Sequence, residues 1–280
     1  MNSTGRADTV FFLSDYGIQD EFVGVVHAVL AAASPGGTII DLTHQVPAFD
    51  VAAGSRALVR ASPYLGPGVV LAVVDPGVGS LRRGVCLPVS PPGAGPTYFV
   101  GPDNGLLVAA AELVGEAPIA RAFALHRRRE AGEFGSTFDG RDLFAPAAAA
   151  LSAGRAPEEL GDPIDPASLV RLAGALVEFG TGSDGRPYLR AEVLWVDRFG
   201  NIQLAATAVD AQAAELPRSE AITLVGSGVR LRRVGTFDDL APGELGLIVD
   251  ANGQVAVVAG QAPAAASLGA SAGDIMVLTW

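Results

Sequence analysis

The chain has 280 residues, 49% hydrophobic and 18% charged, which suits one large core or two moderate ones and excludes a disordered chain. Its net charge of −11 argues against a nucleic-acid backbone as partner and favours a cationic or zwitterionic small molecule; with no lysine at all, Schiff-base and Walker-type phosphate chemistry are excluded. The single Cys86 excludes disulfide stapling and cysteine–zinc clusters within the chain, no apolar run is long enough to span a bilayer, and the polar start MNSTGRADT has no signal-like core, so a soluble, cytoplasmic protein without a membrane partner is expected.

Thr9–Leu13 reads as a strand ending in Ser14-Asp15-Tyr16-Gly17. Asp20 is placed to cap a helix over Glu21–Ala33, where apolar residues recur at helical spacing. Thr38–Ile40 is a second strand ending in Asp41, followed by Thr43 and His44, and Asp50 is a plausible N-cap for a helix through about Ala61. Val69–Val74, a short all-apolar run bounded by turn residues, fits a core strand of a parallel sheet. It ends in Asp75, and Arg82 and Arg83 follow; as a mere turn residue Asp75 needs no function. Tyr98–Val100 is a fourth strand ending at Asp103, and Leu106–Val114 the helix after it.

Strands alternating with helices imply parallel βαβ units. Asp15, Asp41, Asp75 and Asp103 then lie on one sheet edge, where open α/β sheets bind ligands. Asp41 and Asp103 are the two best explained as caps or turn residues. No His or Glu recurs at ligand spacing, so no metal site is expected. Cys86 sits among apolar residues and reads as a buried, inert thiol.

Phe134–Leu151 opens as a loop and passes through Asp139-Gly140-Arg141-Asp142 into an Ala-rich helix; Gly154–Pro166 reads as a surface connection and Gly180–Arg186 as a tight turn. Beyond it the texture changes. Six short strand-like runs (Tyr188–Val196, Ile202–Ala205, Ala221–Val225, Gly228–Val234, Leu245–Val249, Val255–Val258) suggest a small antiparallel barrel or sandwich. The expected fold is therefore an α/β domain with a mostly parallel sheet over 1–175 and a β-barrel-like domain over 188–280. Within the latter, Val196–Asn201 reads either as a plain β-turn or as a ligand loop offering an aromatic face, a carboxylate and an amide.

Eight stretches in this order resemble the S-adenosyl-L-methionine hydrolases (SAM hydroxide adenosyltransferases), relatives of the fluorinase and chlorinase enzymes: FLSDYGIQDEFVG, IIDLTHQVPAFDV, VVDPGVGSLRRG, FVGPDNGLL, STFDGRDLFAP, VDRFGNI, GTFDDLAPGELGLIVDANG and GDIMVL. The resemblance implies displacement of methionine from ribose C5′ by water or hydroxide, with no cofactor. It also implies a homotrimer whose active sites lie between the α/β domain of one subunit and the barrel of the next.

By the same resemblance Asp15 binds the ribose hydroxyls, Phe49 packs on the ligand, and Asp75 and Arg82 belong to an Asp-Arg-His set that activates water. Asp197 faces the methionine ammonium, Phe199 and Phe237 lie near adenine, and Asn201 reads its edge. Asp75 stands where the halogenases carry Tyr, Gly140 where the fluorinase carries a halide-binding Ser, and the stretch Cys86–Pro96 lacks the fluorinase's inserted loop. All three point to water as the attacking group.

The chain departs from the family where Asp139 replaces the His of that set. A two-carboxylate variant, Asp75 and Asp139 flanking Arg82, is one reading; Asp139 as a simple helix cap is the other. Ile248, Ala251 and Gly260 also replace a common Tyr, Ser and Asn around the adenine and amino-acid pockets. The alternatives in function are a non-catalytic S-adenosylmethionine or adenosine binder and a halide-using 5′-halo-5′-deoxyadenosine synthase.

Overall fold

A computed structural model describes residues 9–127, 137–217 and 222–280. The chain divides into two units, Met1–Leu172 and Ala173–Trp280.

The first unit runs β1 (Thr9–Ser14), α1 (Phe22–Ala33), β2 (Thr38–Thr43), α2 (Val51–Ala61), β3 (Gly68–Val73), β4 (Gly84–Val89), β5 (Thr97–Pro102), α3 (Val108–Gly115) and β6 (Ala122–Leu125). A π-helical turn at Gly140–Phe144 then leads into α4 (Ala145–Ser152) and β7 (Gly161–Ile164). The sheet order is β2-β1-β3-β5-β4-β6-β7. The first four strands are parallel and β4, β6 and β7 antiparallel. Strands buried on both faces must be apolar at every position, and β3 is buried at all of them. On one face Val10 and Phe12 pack with Val26 and Leu30 of α1 and the alanines of α4. On the other, Phe11 and Leu13 pack with Leu58 of α2 and Val108, Ala110 and Ala111 of α3.

Asp50 caps α2 as its sequence suggests, its Oδ1 accepting from Ala53 N at 2.8 Å. Asp20 does not cap α1. The residue at the N-cap is Glu21, already helical at φ −75°, ψ −6°, with no side-chain cap bond, so the extended backbone that a capping carboxylate needs is missing. Gly154–Pro166 is not mere connection, because β7 lies within it as the sheet's last strand. Cys86 is buried in β4, and burial pushes its thiol up to about 12, as an inert thiol requires.

The second unit runs β8 (Val177–Thr181), β9 (Pro187–Val196), β10 (Ile202–Thr207), α5 (Ala208–Ala213), β11 (Ile222–Leu224), β12 (Val229–Arg233), β13 (Leu245–Val249), β14 (Gln254–Ala259), α6 (Ala264–Leu268) and β15 (Ile275–Thr279). Its strands follow the order β10-β14-β13-β12-β11-β15-β9-β8, and a β9–β10 pairing closes seven of them into a barrel. Six of the seven are the runs read from the sequence. The seventh, β15, bridges β11 and β9 and so completes the closure. β8 lies ahead of residue 188 and pairs with β9 through the turn at 182–186.

The barrel is mixed rather than antiparallel, since β12 and β13 run parallel. The connection between them, 234–244, is too long for a hairpin and crosses over instead. Among the described residues no helix is long and apolar enough to cross a membrane.

Candidate active site

In the first unit, β1 is followed in sequence by β2 on one side and neighbours β3 on the other. Chain direction therefore diverges between the carboxyl ends of β1 and β3, which opens a crevice there. A cavity of about 240 Å³ occupies this place, and Asp15, Phe49, Asp75 and Asp139 all line it.

Asp15 follows β1, and its Oδ2 accepts the Phe49 N–H at 2.9 Å. That bond steadies Phe49, which holds a left-handed backbone (φ 67°) and exposes its ring. A bulky residue in this conformation is strained by about 1–3 kcal/mol.

Asp75 and Asp139 meet on one guanidinium. Arg82 Nη2 donates to Asp75 Oδ2 at 2.5 Å and to Asp139 Oδ2 at 2.6 Å, Nη1 donates to the Arg83 carbonyl at 2.9 Å, and the guanidinium lies over the Phe144 ring. The side chains of Arg82, Asp75 and Asp139 are only 9%, 6% and 4% exposed. Asp139 begins the π-helical turn without making a side-chain cap bond, so the cap reading is set aside. Arg127 grips it from the other side in a bidentate pair, both contacts at 2.8 Å.

Asp75 is held by one arginine and keeps a buried Oδ1 with no hydrogen-bond partner among the described residues. Burial pushes its carboxyl above the ordinary value; Arg82 pulls it back, and the Asp139 charge adds to the rise.

Three aromatics and one arginine stand with these residues and were not singled out from the sequence. Tyr16, Phe22 and Phe138 line the same cavity and pack ring to ring, with centroids 5.3–5.8 Å apart. Burial first, then the charges of Asp15, Asp75 and Asp139, hold the Tyr16 phenol far above its usual range, so it stays a neutral donor. Arg127 opens the arginine run Arg127–Arg129, where nothing local marks it out. Its pairing with Asp139 is a tertiary fact.

Gly140 has a steric reason to be glycine. A Cβ there would lie 2.1 Å from Tyr16 Oη. Gly140→Ser is expected to lose about 1–3 kcal/mol of stability through overpacking and to gain no halide chemistry, checked by urea denaturation and product chromatography.

Asp41 lies inside β2 and is neither a cap nor a turn residue, while Asp103 stands in the bend after β5 and does more than turn the chain. Asp41 lies between His27 and His44. Asp103 accepts Arg83 Nε at 2.9 Å and Nη2 at 2.5 Å through Oδ2 and the Val170 N–H at 2.9 Å through Oδ1, so it fastens the chain around 170 to the sheet.

The other four predicted residues lie in the second unit. Asp197 closes the β9–β10 turn: Oδ1 accepts from Phe199 N at 2.8 Å and Asn201 N at 2.9 Å, and Oδ2 accepts Asn201 Nδ2 at 2.8 Å. Asn201 is thereby buried and Phe199 is left 76% exposed. Phe237 is exposed in the crossover between β12 and β13. Of the substituted positions, Ile248 is buried in a small cluster with Leu240, Ala256 and Val258. Gly260 leaves no room for a side chain, since a Cβ would meet the Ala241 carbonyl oxygen at 2.2 Å.

Comparison with known proteins gives the chain's relatives. Profiles for the SAM hydroxide adenosyltransferase N-terminal and C-terminal domains match residues 10–161 and 191–277. A protein of Salinispora tropica named (R)-S-adenosyl-L-methionine hydrolase is 44% identical over 271 residues, 96% of this chain and 97% of its own. A fluorinase of Actinoplanes sp. is 25% identical over 297 residues, covering 96% and 97%. The crystal structure of an uncharacterised conserved protein from Thermotoga maritima superposes with a TM-score of 0.82 at 30% identity, covering 96% of this chain and 99% of that one.

Proposed function

The chain belongs to the SAM hydroxide adenosyltransferase family, and from that premise we propose that it hydrolyses S-adenosyl-L-methionine to adenosine and L-methionine. The observation that carries the reading is the buried Asp75 carboxylate, one oxygen fixed by Arg82 and the other unpartnered, on the wall of the crevice between β1 and β3.

The sulfonium is already a good leaving group, so the reaction needs no general acid. It needs in-line placement, partial desolvation and one activated water. Asp75 Oδ1 takes a proton from that water while its oxygen bonds to C5′. The sulfur–C5′ bond breaks with its electron pair going to sulfur, releasing neutral thioether methionine, and Asp75 returns the proton to solvent. Arg82 orients the carboxylate and favours hydroxide character. Asp139, clamped by Arg82 and Arg127, fixes the guanidinium in place. Orientation contributes roughly 7–11 kcal/mol to such a reaction and a positioned base about 10²–10⁴-fold.

Asp15 binds the ribose hydroxyls and Phe49 covers the ligand. Asp197 faces the methionine ammonium, Asn201 reads adenine, and Phe199 and Phe237 pack near it. In this reading the chain is a homotrimer, the barrel of one subunit completing the site of its neighbour, with a light-scattering mass of about three times 28.4 kDa. The buried free thiol of Cys86 fits a reducing compartment, and the reading places the enzyme in the cytoplasm.

Purified chain incubated with S-adenosylmethionine is expected to release adenosine and methionine in equal amounts. Binding without turnover would favour the non-catalytic binder. A 5′-chloro or 5′-bromo nucleoside formed in added halide would favour the synthase.

The pH profile tests the carboxylate pair. Asp75 acts ionised and its carboxyl is raised, so kcat/KM falls as pH drops through a value above the ordinary carboxylate range. Asp139→Asn removes a charge that raises Asp75, so its acid limb is expected to move to lower pH. A profile unchanged in both Asp139→Asn and Asp139→His removes Asp139 from the mechanism.

A further inference from the structure

Away from the crevice, three side chains from separate places in the first unit converge. His27 comes from α1, Asp41 from β2 and His44 from the segment after β2. His27 Nε2 lies 2.9 Å and His44 Nε2 3.0 Å from the same oxygen, Asp41 Oδ1, and the three donor atoms lie within 4.8 Å of one another. Donors about 2.1 Å from a common ion stand about 3.0–3.4 Å apart in octahedral or tetrahedral geometry, so a small inward adjustment brings all three onto one centre.

The ring of His44 is the decisive one. It is 6% exposed, and its Nε2 makes no aligned hydrogen bond: the Asp41 oxygen attracts it from the side. Its other nitrogen, Nδ1, is 2.8 Å from the buried Ser14 Oγ. A metal-binding imidazole is arranged in this way, with one nitrogen engaged by a second group and the other turned towards the ion. Phe12, fully buried, packs against both imidazoles, with centroids 4.5 Å from His44 and 6.0 Å from His27, and limits their rotation. His27 and Asp41 are partly exposed, which gives an ion a path in and leaves a position for water.

We propose that His27 Nε2, Asp41 Oδ1 and His44 Nε2 bind one divalent first-row transition metal of the zinc type, with water completing its coordination. Two imidazoles and one carboxylate suit zinc, cobalt or nickel over the all-oxygen sites of calcium and magnesium. The ion ties α1 to the end of β2. Through Ser14, and through the Gly17 N–H that donates to the His44 carbonyl at 2.7 Å, it also braces the segment that presents Asp15. It takes no part in the water attack, so this proposal stands apart from the hydrolase reading.

The test is equilibrium dialysis of the tag-free full chain against micromolar Zn2+, with metal analysis and a chelator-competition titration. One zinc per chain is expected, together with a rise of a few degrees in melting temperature. His27→Gln and Asp41→Asn, both at the surface, should each weaken binding more than tenfold with the circular dichroism spectrum unchanged. His126→Gln, at the separate His126–Asp162 pair, should leave it unaltered. Co2+ should give visible d–d bands in the unsubstituted chain and lose them in His27→Gln. Substoichiometric zinc, or equal affinity in the chain and in His27→Gln, overturns the site and leaves an ordinary His–Asp ion-pair cluster.

Discussion

Asp75→Asn is expected to lower kcat by about 10²–10⁴ while leaving the fold intact, because it removes the proposed base and keeps the shape. The amide can still accept from Arg82 through its oxygen, so the arrangement survives. What disappears is the proton acceptor that the proposed mechanism requires. KM should change far less than kcat, since Asp75 is assigned to water and not to the nucleoside or the amino acid. The acid limb of the pH profile should vanish with the group that titrates there. Steady-state kinetics across pH, with circular dichroism as the folding control, checks all three. An Asp75→Asn chain that retains its rate removes Asp75 as the base.

Substitution of Arg82 should be costly in a different way. Its guanidinium is the counter-charge that Asp75 and Asp139 share, and all three side chains are nearly buried. Truncating one partner of a buried ion pair leaves an uncompensated charge and typically costs about 3–5 kcal/mol. Arg82→Met is therefore expected to shift the urea midpoint sharply downward as well as abolish turnover. Asp139 keeps Arg127, so the stranded group is Asp75. Loss of Arg82 removes the attraction that holds its carboxyl down, and the group should then stay protonated to higher pH. The stability deficit should accordingly narrow in acid, where a neutral Asp75 needs no counter-charge. Arg82→Lys should rescue neither property well, since one ammonium cannot reproduce the planar fork that reaches both carboxylates and the Arg83 carbonyl. Urea unfolding of both variants at neutral and mildly acidic pH is the measurement.

The legibility of this chain follows the range of the interactions involved. β1, β3 and β5 are apolar runs bounded by turn residues, and α2 announces itself through Asp50, because an all-apolar run marks a doubly buried strand by its composition alone and a helix cap bonds within three residues. β4 was not read. Pro88 argues against a central strand, and β4 indeed sits between β5 and β6. The β4–β6 register involves only Val85 and Cys86, so Pro88 falls where that side of the strand is free of a ladder. β7 carries Pro163 and is tolerated as an edge strand. β15 acquires its meaning only from closing the barrel between β9 and β11.

The sequence by itself determined the alternation of strand and helix that sends Asp15 and Asp75 to one edge, the barrel-like texture of the second half, and the family motifs. These depend on periodicity, turn chemistry and residue identity, all of which are local. Only the tertiary structure decided which charges meet. Asp139 pairs with Arg82 and Arg127 rather than capping a helix, Asp103 with Arg83, and Asp41 with two imidazoles. Tyr16 fills the space that a side chain at residue 140 would need. A carboxylate in a buried crevice is governed by the nearest cation in space, and nearness in space is set by how the sheet and its helices pack, at sequence separations over which no local pattern carries information.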